Sequence, residues 1–342
     1  MLTNTERQNA LSRAGYGERE AQFLCLAALQ GGYFLRRQYA EFLGTQDGGT
    51  ITQLIEKILD KNHAEVATYR ANMHMYHLSA RPFYAALGQE NNRNRRRKEP
   101  LTIKAKLMGL DFVLANQQHE YLATEHEKLD FFETTLNINR RDLPAKRYAS
   151  NGQVTERYFV EKFPLFLAHN FQELRAASPH FAFVDPGQSS VLAFETFLNR
   201  YRRLFTRLRE FTVVYVAGTD RLFEKAGLLF ERVSRGLGVG TPAINLVQNS
   251  TKILEYFEAR HLFDTKQFAS LDRQKLSRLR AGREAFSGPE MEALYGRWKQ
   301  GSPAIFTDDS NVNNDHLHEI CGRFSTYLLK HSYDLFGSVT AY

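Results

Sequence analysis

Residues 180 to 218 constrain the fold more tightly than any other stretch of the chain. "HFAFVD" is a short apolar run that ends in a carboxylate, and a Pro-Gly pair breaks it. In the segment "SVLAFETFLNRYRRLFTRLREF", Phe194, Phe197, Leu198, Tyr201, Leu204, Phe205, Leu208 and Phe211 recur at helical spacing. "TVVYVAG" then supplies a second apolar, β-branched run. Strand, crossover helix and strand predict a β-α-β unit, with the two strands parallel and the connection right-handed. On the helix's outer face Arg200, Arg203 and Arg207 follow at i, i+3 and i+7, flanked by Arg202 and Arg209. Such a stripe reads either as a solvated face or as a contact for phosphate.

The first ninety residues carry a different pattern. "EREAQFLCLAALQ" repeats Phe23, Leu24, Leu26, Ala27 and Leu29 on one helical face, and "FLRRQYAEFLG" gives a second helix ending at Gly44. In "TITQLIEKILDKNH", Ile51, Leu54, Ile55, Ile58 and Leu59 form a buried stripe that leaves Thr52, Gln53, Glu56, Lys57 and Lys61 outward. "AEVATYRANMHMYHLSARPFYAALG" alternates, and predicts two strands around "RANM". Three helices and a hairpin are the order of a winged helix-turn-helix, here residues 1–90. Its third helix would enter a DNA major groove and its wing would lie along the backbone. Thr52, Gln53, Lys57 and Lys61, with Arg70 in the wing, are the candidate contacts. The competing reading is a winged helix used for protein contacts.

A basic run follows. Arg93, Arg95, Arg96, Arg97 and Lys98 stand in "QENNRNRRRKEP", as expected of a phosphate-binding cluster or of a solvated linker. Residues 91–135 are expected as this linker plus a helical connector with Leu107, Leu110, Phe112, Val113 and Leu122 in the core. One helix should run to Asn116 and a second should start at Thr124, where Glu127 completes a capping box. Further on, "NG" at 151–152 predicts a hairpin turn, and "RYFVEKFPLFL" reads as strand. After residue 219 the chain reads as helices, including "RQKLSRLRAGR" with Arg273, Lys275, Arg278, Arg280 and Arg283.

The whole-chain numbers set limits. At 342 residues, two or three domains are expected. Hydrophobic residues at 43% and aromatic ones at 13% exclude wholesale disorder. A net charge of +7 permits a polyanion partner without demanding one. Two cysteines, Cys25 and Cys321, exclude a disulfide framework. With no apolar core in the first residues and no apolar run of about 18 residues, a soluble, cytoplasmic protein is expected, with no membrane partner.

The order of these parts resembles the replication-relaxation family, mobile-element proteins that act in plasmid mobilisation and replication. The resemblance spans roughly residues 18 to 235 and is carried by "FAFVDPG", "NRYRRLF" and "FTVVYVAGTDRLFEKA". It implies a mixed α+β and α/β chain: the winged helix-turn-helix, a restriction-endonuclease-like α/β domain over residues 136–235, and a helical C-terminal region over 236–342. DNA would be the partner, alongside proteins of a mobile-element complex. Metal-dependent cleavage on such a fold needs two or more carboxylates and usually a lysine. Asp185 is a candidate ligand, but Phe183 stands where a second acid would be expected, and no Glu-x-Lys occurs in the chain. Asp185 therefore reads as a strand-end turn residue, with Ser189 or Ser190 capping the next helix. No cofactor is expected. Magnesium would enter only if Glu156 or Glu161 completed the site, making a nicking enzyme the main rival to a non-catalytic DNA-binding protein. A winged-helix transcription regulator is a third reading.

Four further motifs read as structural. His316-Leu317-His318 has the spacing of a relaxase metal pair but sits in a helical pattern, with Tyr327 and Tyr333 nearby. "DDSNVNNDH" lacks the glycine and the twelfth-position Glu of a calcium loop. "GLGVG" reads as a turn, and His74 and His77 face opposite ways on a strand. The sequence names no DNA site, partner or oligomeric state.

Overall fold

A computed structural model describes residues 2–46, 48–70, 73–150, 153–160, 163–168, 178–235, 239–240, 246–267, 270–286, 292, 295–296, 298–299, 320–331 and 333. The chain is a mixed α and β protein that divides into two compact units, Met1–Val239 with Gly322–Tyr342, and Gly240–Cys321.

The first unit begins with α1 (Asn4–Arg13), which the apolar pattern does not announce and which starts at a capping box between Thr3 and Glu6. Then come α2 (Glu18–Gln30), β1 (Tyr33–Leu35), α3 (Arg36–Leu43), α4 (Gly49–Asp60), β2 (Ala64–Arg70) and β3 (Met73–Leu78). The three strands form an antiparallel sheet in the order β1-β3-β2. Ile51, Leu54, Ile55 and Ile58 of α4 are buried as the stripe requires, packed in one cluster with Phe23, Leu24, Phe34, Tyr39 and Tyr76. The expected second strand stops at Leu78. "RPFYAA" instead forms α5 (Arg81–Ala86), where Pro82 suits a first helical turn and Phe83 and Tyr84 are buried.

Next is α6 (Pro100–Ala115), apolar nearly all round. Leu110 and Leu114 belong to the core of the first helices, while Leu107, Met108, Phe112 and Val113 cover the next sheet. A helix apolar on every side has to be enclosed on every side.

Further along lie β4 (Glu120–Tyr121), α7 (Glu125–Asp130), β5 (Ala145–Ser150), β6 (Gln153–Tyr158), β7 (Leu165–Ala168), β8 (Ser178–Asp185), α8 (Leu192–Phe205), β9 (Glu210–Ala217), α9 (Phe223–Arg235), β10 (Val239–Gly240) and β11 (Ile320–Leu328). The larger sheet has the order β10-β11-β9-β8-β7-β4. Strands β8 and β9 are parallel, with α8 between them in sequence, as the opening pattern demands. Ala182, Val184, Val214 and Val216 pack towards α6. Alternate residues Phe181, Phe183 and Tyr215 turn the other way, onto Phe194, Phe197 and Phe205 of α8. Both faces of the parallel pair are thus covered.

Two expectations are corrected here. "RYFVEKFPLFL" is not one strand: β6 pairs only with β5 in a separate hairpin, and β7 joins the large sheet beside β8. Between them Phe159 takes a left-handed backbone, with φ 48°. The C-terminal region is also not wholly helical, because Ile320–Leu328 is a strand of the large sheet. Its apolar residues fit helical spacing, yet Phe324 packs on Phe194 and Phe230 while Tyr327 packs on Phe112, on the opposite face. A period of two then serves both covers, and pairing with β9 decides the outcome. His316, His318, the segment 309–315 and most of "GLGVG" lie outside the described residues.

The second unit holds α10 (Leu246–Asp264) and α11 (Arg273–Ala285), packed through Ile253, Tyr256, Phe257 and Leu279. Gly282 lies so close to the Tyr256 ring that a Cβ there would overlap it.

Candidate nucleic-acid interface

Helix α4 is held with its apolar stripe inward, which leaves Gly49, Thr50, Gln53, Glu56, Asp60 and Lys61 exposed. Its first half presents neutral polar groups and its second half two carboxylates. Thr52 is half-buried and accepts a hydrogen bond from the Arg36 guanidinium at 2.9 Å. Lys57 is drawn into an ion pair with Glu20 of α2 at 2.6 Å. Gln53 and Lys61 keep the outward positions read from the sequence. Of Arg70, only its place in β2 lies within the described residues.

The run Arg93–Lys98 is not a free linker. Asn94, fully buried, donates its amide to the carbonyls of Ala28 and Leu29 at 2.8 and 3.1 Å, near the end of α2. Its side-chain oxygen accepts from Lys106 of α6 at 3.0 Å, and its backbone oxygen lies 2.8 Å from the His77 ring. Gly32 passes so near that a Cβ would lie 2.8 Å from the Asn94 carbonyl oxygen, and its φ of +79° favours glycine as well. Lys98 donates its backbone N–H to the Tyr33 hydroxyl, and Arg97 pairs with Glu65 at 2.7 Å. Burial, with Arg93 and Arg96 beside it, holds the Lys98 ammonium below its ordinary value.

Tyr33, His77 and Glu65 are register partners across the three strands. They lie on the face of the small sheet opposite Phe34 and Tyr76, which pack with α4. The basic run and α4 therefore flank the small sheet from opposite sides. Arg95 donates to the Glu90 carbonyl, and Arg96 is exposed.

The β5–β6 hairpin is a further source of charge, one that no helical or strand period in the sequence points to. Lys146 pairs in register with Arg157, next to Tyr148 and Thr155 on the same face. The Arg93 guanidinium lies 4.4 Å from the centre of the Tyr148 ring, and the Lys146 ammonium 5.5 Å from it. On the other face, Arg140 lies 5.8 Å from the Tyr158 ring centre. Two residues on, Asp142 pairs with Arg207 at 3.1 Å, just past the end of α8. The hairpin thus meets the first basic run through Arg93, and the turn leading into it meets the second through Arg207. Several of its cations are locally balanced: Arg140 by Glu133, Arg147 by Glu156 and Arg157 by Glu125. Arg141, Lys146, Arg200 and Arg203 are exposed. The signal for this cluster was the cation–aromatic alternation "KRY" and "ERY" on either side of the Asn-Gly turn.

Asp185 closes β8 as a turn residue. One oxygen accepts the N–H groups of Gly187 at 2.9 Å and Gln188 at 2.7 Å, and the other accepts the Tyr215 hydroxyl at 2.7 Å. Ser190 receives the Leu192 N–H at 3.5 Å, a long bond at the helix start. Among the described residues no group of three or more His, Cys, Asp or Glu side chains comes together as metal ligands would. Glu156 belongs to the hairpin, bonded to Arg147 and Tyr158, and Glu161 lies outside the described residues. No helix among the described residues is long and apolar enough to cross a membrane.

Compared with models of known families, with curated proteins and with solved structures, the chain finds no match.

Proposed function

We propose that this chain binds duplex DNA through its first ninety residues, folded as a winged helix-turn-helix. The observation that carries the proposal is the element order α2-β1-α3-α4-β2-β3 with the small sheet arranged β1-β3-β2, in which α4 is backed by apolar packing and followed directly by a hairpin. In such a module the exposed first half of α4, with Thr50 and Gln53, meets base edges, and the hairpin lies along the backbone. Arg96, Lys146, Arg203 and their neighbours then supply sequence-independent phosphate contact along the rest of the unit. The α/β part acts as a scaffold of restriction-endonuclease-like type whose strand-end carboxylate has become a turn residue. A role in mobilisation or replication of a mobile element rests on the resemblance in sequence order.

Electrophoretic mobility shifts on a pool of random duplexes test this reading. The expected result is enrichment of a preferred duplex, relaxed by Gln53→Ala at the contacted base pair with a loss of about 1–3 kcal/mol. Uniform binding to single strands only, unaffected by Gln53→Ala, would refute it. The nicking-enzyme reading predicts magnesium-dependent relaxation of supercoiled plasmid that disappears in Asp185→Asn, and the present reading predicts no cleavage by either protein.

A further inference from the structure

Behind the hairpin lies a cavity of about 600 Å³, bounded by the loop after α5, the start of α7 and the end of β6. That size is ordinary for a small-molecule site. Arg93, His126, Lys128 and Arg157 contribute to its wall, with Glu125 and Tyr158. The second carboxylate of the wall, Glu90, is engaged by Arg81 at 2.5 Å. Glu125 is shared: one oxygen accepts the Tyr158 N–H at 2.9 Å, and the other is 3.7 Å from Arg157.

Lys128 is the unusual member. It is 5% exposed, and among the described residues its ammonium has no hydrogen-bond or ion-pair partner; it lies 5.7 Å from the centre of the Phe159 ring. A largely buried ammonium that neighbouring carboxylates attract without hydrogen-bonding is costly. Phe159, which supplies that ring, is the left-handed residue after β6, held by an N–H bond to the Pro144 carbonyl at 2.9 Å. Bulky residues in this conformation cost energy and persist where the surroundings enforce them, often beside ligand sites. Burial lowers the Lys128 amine to about 8, against the opposing pull of Glu127 and Glu125, so it is charged at neutral pH.

We propose that this cavity binds a phosphate monoester of nucleotide size, with Lys128 as the buried counter-charge and Arg93 and Arg157 closing on the phosphate oxygens. A phosphate monoester brings close to two negative charges and several strong acceptors, which matches cations arriving from three separate elements. The nucleotide could be free, or could be the 5′ end of a strand. Neither depends on α4 or on duplex recognition.

Calorimetric titration of the full chain with adenosine monophosphate, adenosine, and short thymidine oligonucleotides with and without a 5′ phosphate is the test. Saturable one-to-one binding of adenosine monophosphate is expected, with adenosine at least tenfold weaker. Lys128→Met should weaken the monophosphate tenfold or more and leave duplex affinity within twofold. Should that variant not fold, Arg157→Gln, at an exposed position, is expected to weaken it severalfold. Competition by the 5′-phosphorylated oligonucleotide would identify a strand end as the ligand, and its failure to compete a free nucleotide. No binding of adenosine monophosphate, equal binding of adenosine, or full affinity in the folded variants would overturn the proposal. Duplex binding persisting after that failure would leave the DNA reading standing.

Discussion

Replacing Asn94 by Ala tests whether the basic run is part of the fold or a tether. Ala28 and Leu29 are in the last turn of α2, where carbonyls have no partner within the helix. The Asn94 amide serves both, and its oxygen serves the Lys106 ammonium. Two neutral bonds at about 1 kcal/mol each and one charge-assisted bond at about 1.5–3 kcal/mol give a loss of about 4 kcal/mol. Against a domain stability of about 5–15 kcal/mol, this is a large fraction. Urea unfolding followed by circular dichroism should show it. Hydrogen exchange should show faster exchange at Arg95 and Arg96, whose N–H groups bond the Asn92 and Arg93 carbonyls. Duplex affinity should fall too, because Arg93 would lose its seat over Tyr148. A loss below about 0.5 kcal/mol with unchanged exchange would show the reasoning to be wrong.

Three other perturbations probe separate features. Lys128 carries an amine lowered from 10.5 to about 8. The folded state therefore bears a penalty of about 3 kcal/mol while the amine is charged, below pH 8. Between pH 8 and 10.5 the folded chain sheds this proton before the unfolded chain does, so stability should rise with pH. The charged and titratable groups facing it are Glu90, Glu125, Glu127, Arg93, Arg157, His126 and Tyr158; Glu127 is held below the ordinary carboxylate value, and Tyr158, pushed up to about 12, titrates above this window. Lys128→Met should add about 3 kcal/mol at pH 7 and abolish the rise; thermal melts showing a flat wild-type profile would count against it. Tyr215→Phe removes a donor from the buried Asp185 carboxylate and should cost about 2 kcal/mol in urea, and an unchanged midpoint would show that this bond is not needed. Gly282→Ala should destabilise the Gly240–Cys321 unit by about 1–3 kcal/mol through overlap with Tyr256, and calorimetry showing no shift would contradict the close approach.

What the sequence conveyed depended on whether a residue's neighbours were near in the chain. The α4 stripe and the β8-α8-β9 unit repeat at a fixed period, so a single pattern reveals both the element and its buried side. The largely apolar α6 was legible as a helix, but its enclosure between two cores was not, since both covers come from distant segments. "FYAALG" alternates like a strand and became a helix because Pro82 opens one and Phe83 and Tyr84 find the first core. Residues 320–328 fit a helix equally well until β9 required a neighbour. Asn94 was hidden for a related reason. Among five cations it looked like linker composition, while its partners lie 65 and 66 residues earlier. Asp185 is the opposite case, since two of its three donors are within three residues and the Pro-Gly pair announces the turn.

The most direct test of the account is fluorescence anisotropy of a labelled duplex across a salt series, for the wild-type chain and for the double variant Arg96→Ala/Arg203→Ala. Each backbone contact contributes about 0.9 to the slope of log affinity against log salt. Steep weakening with salt is expected for the wild type, and a slope shallower by about 2 for the variant. Affinity that does not respond to salt, or an identical slope in the two proteins, would contradict a phosphate-bound surface on this unit.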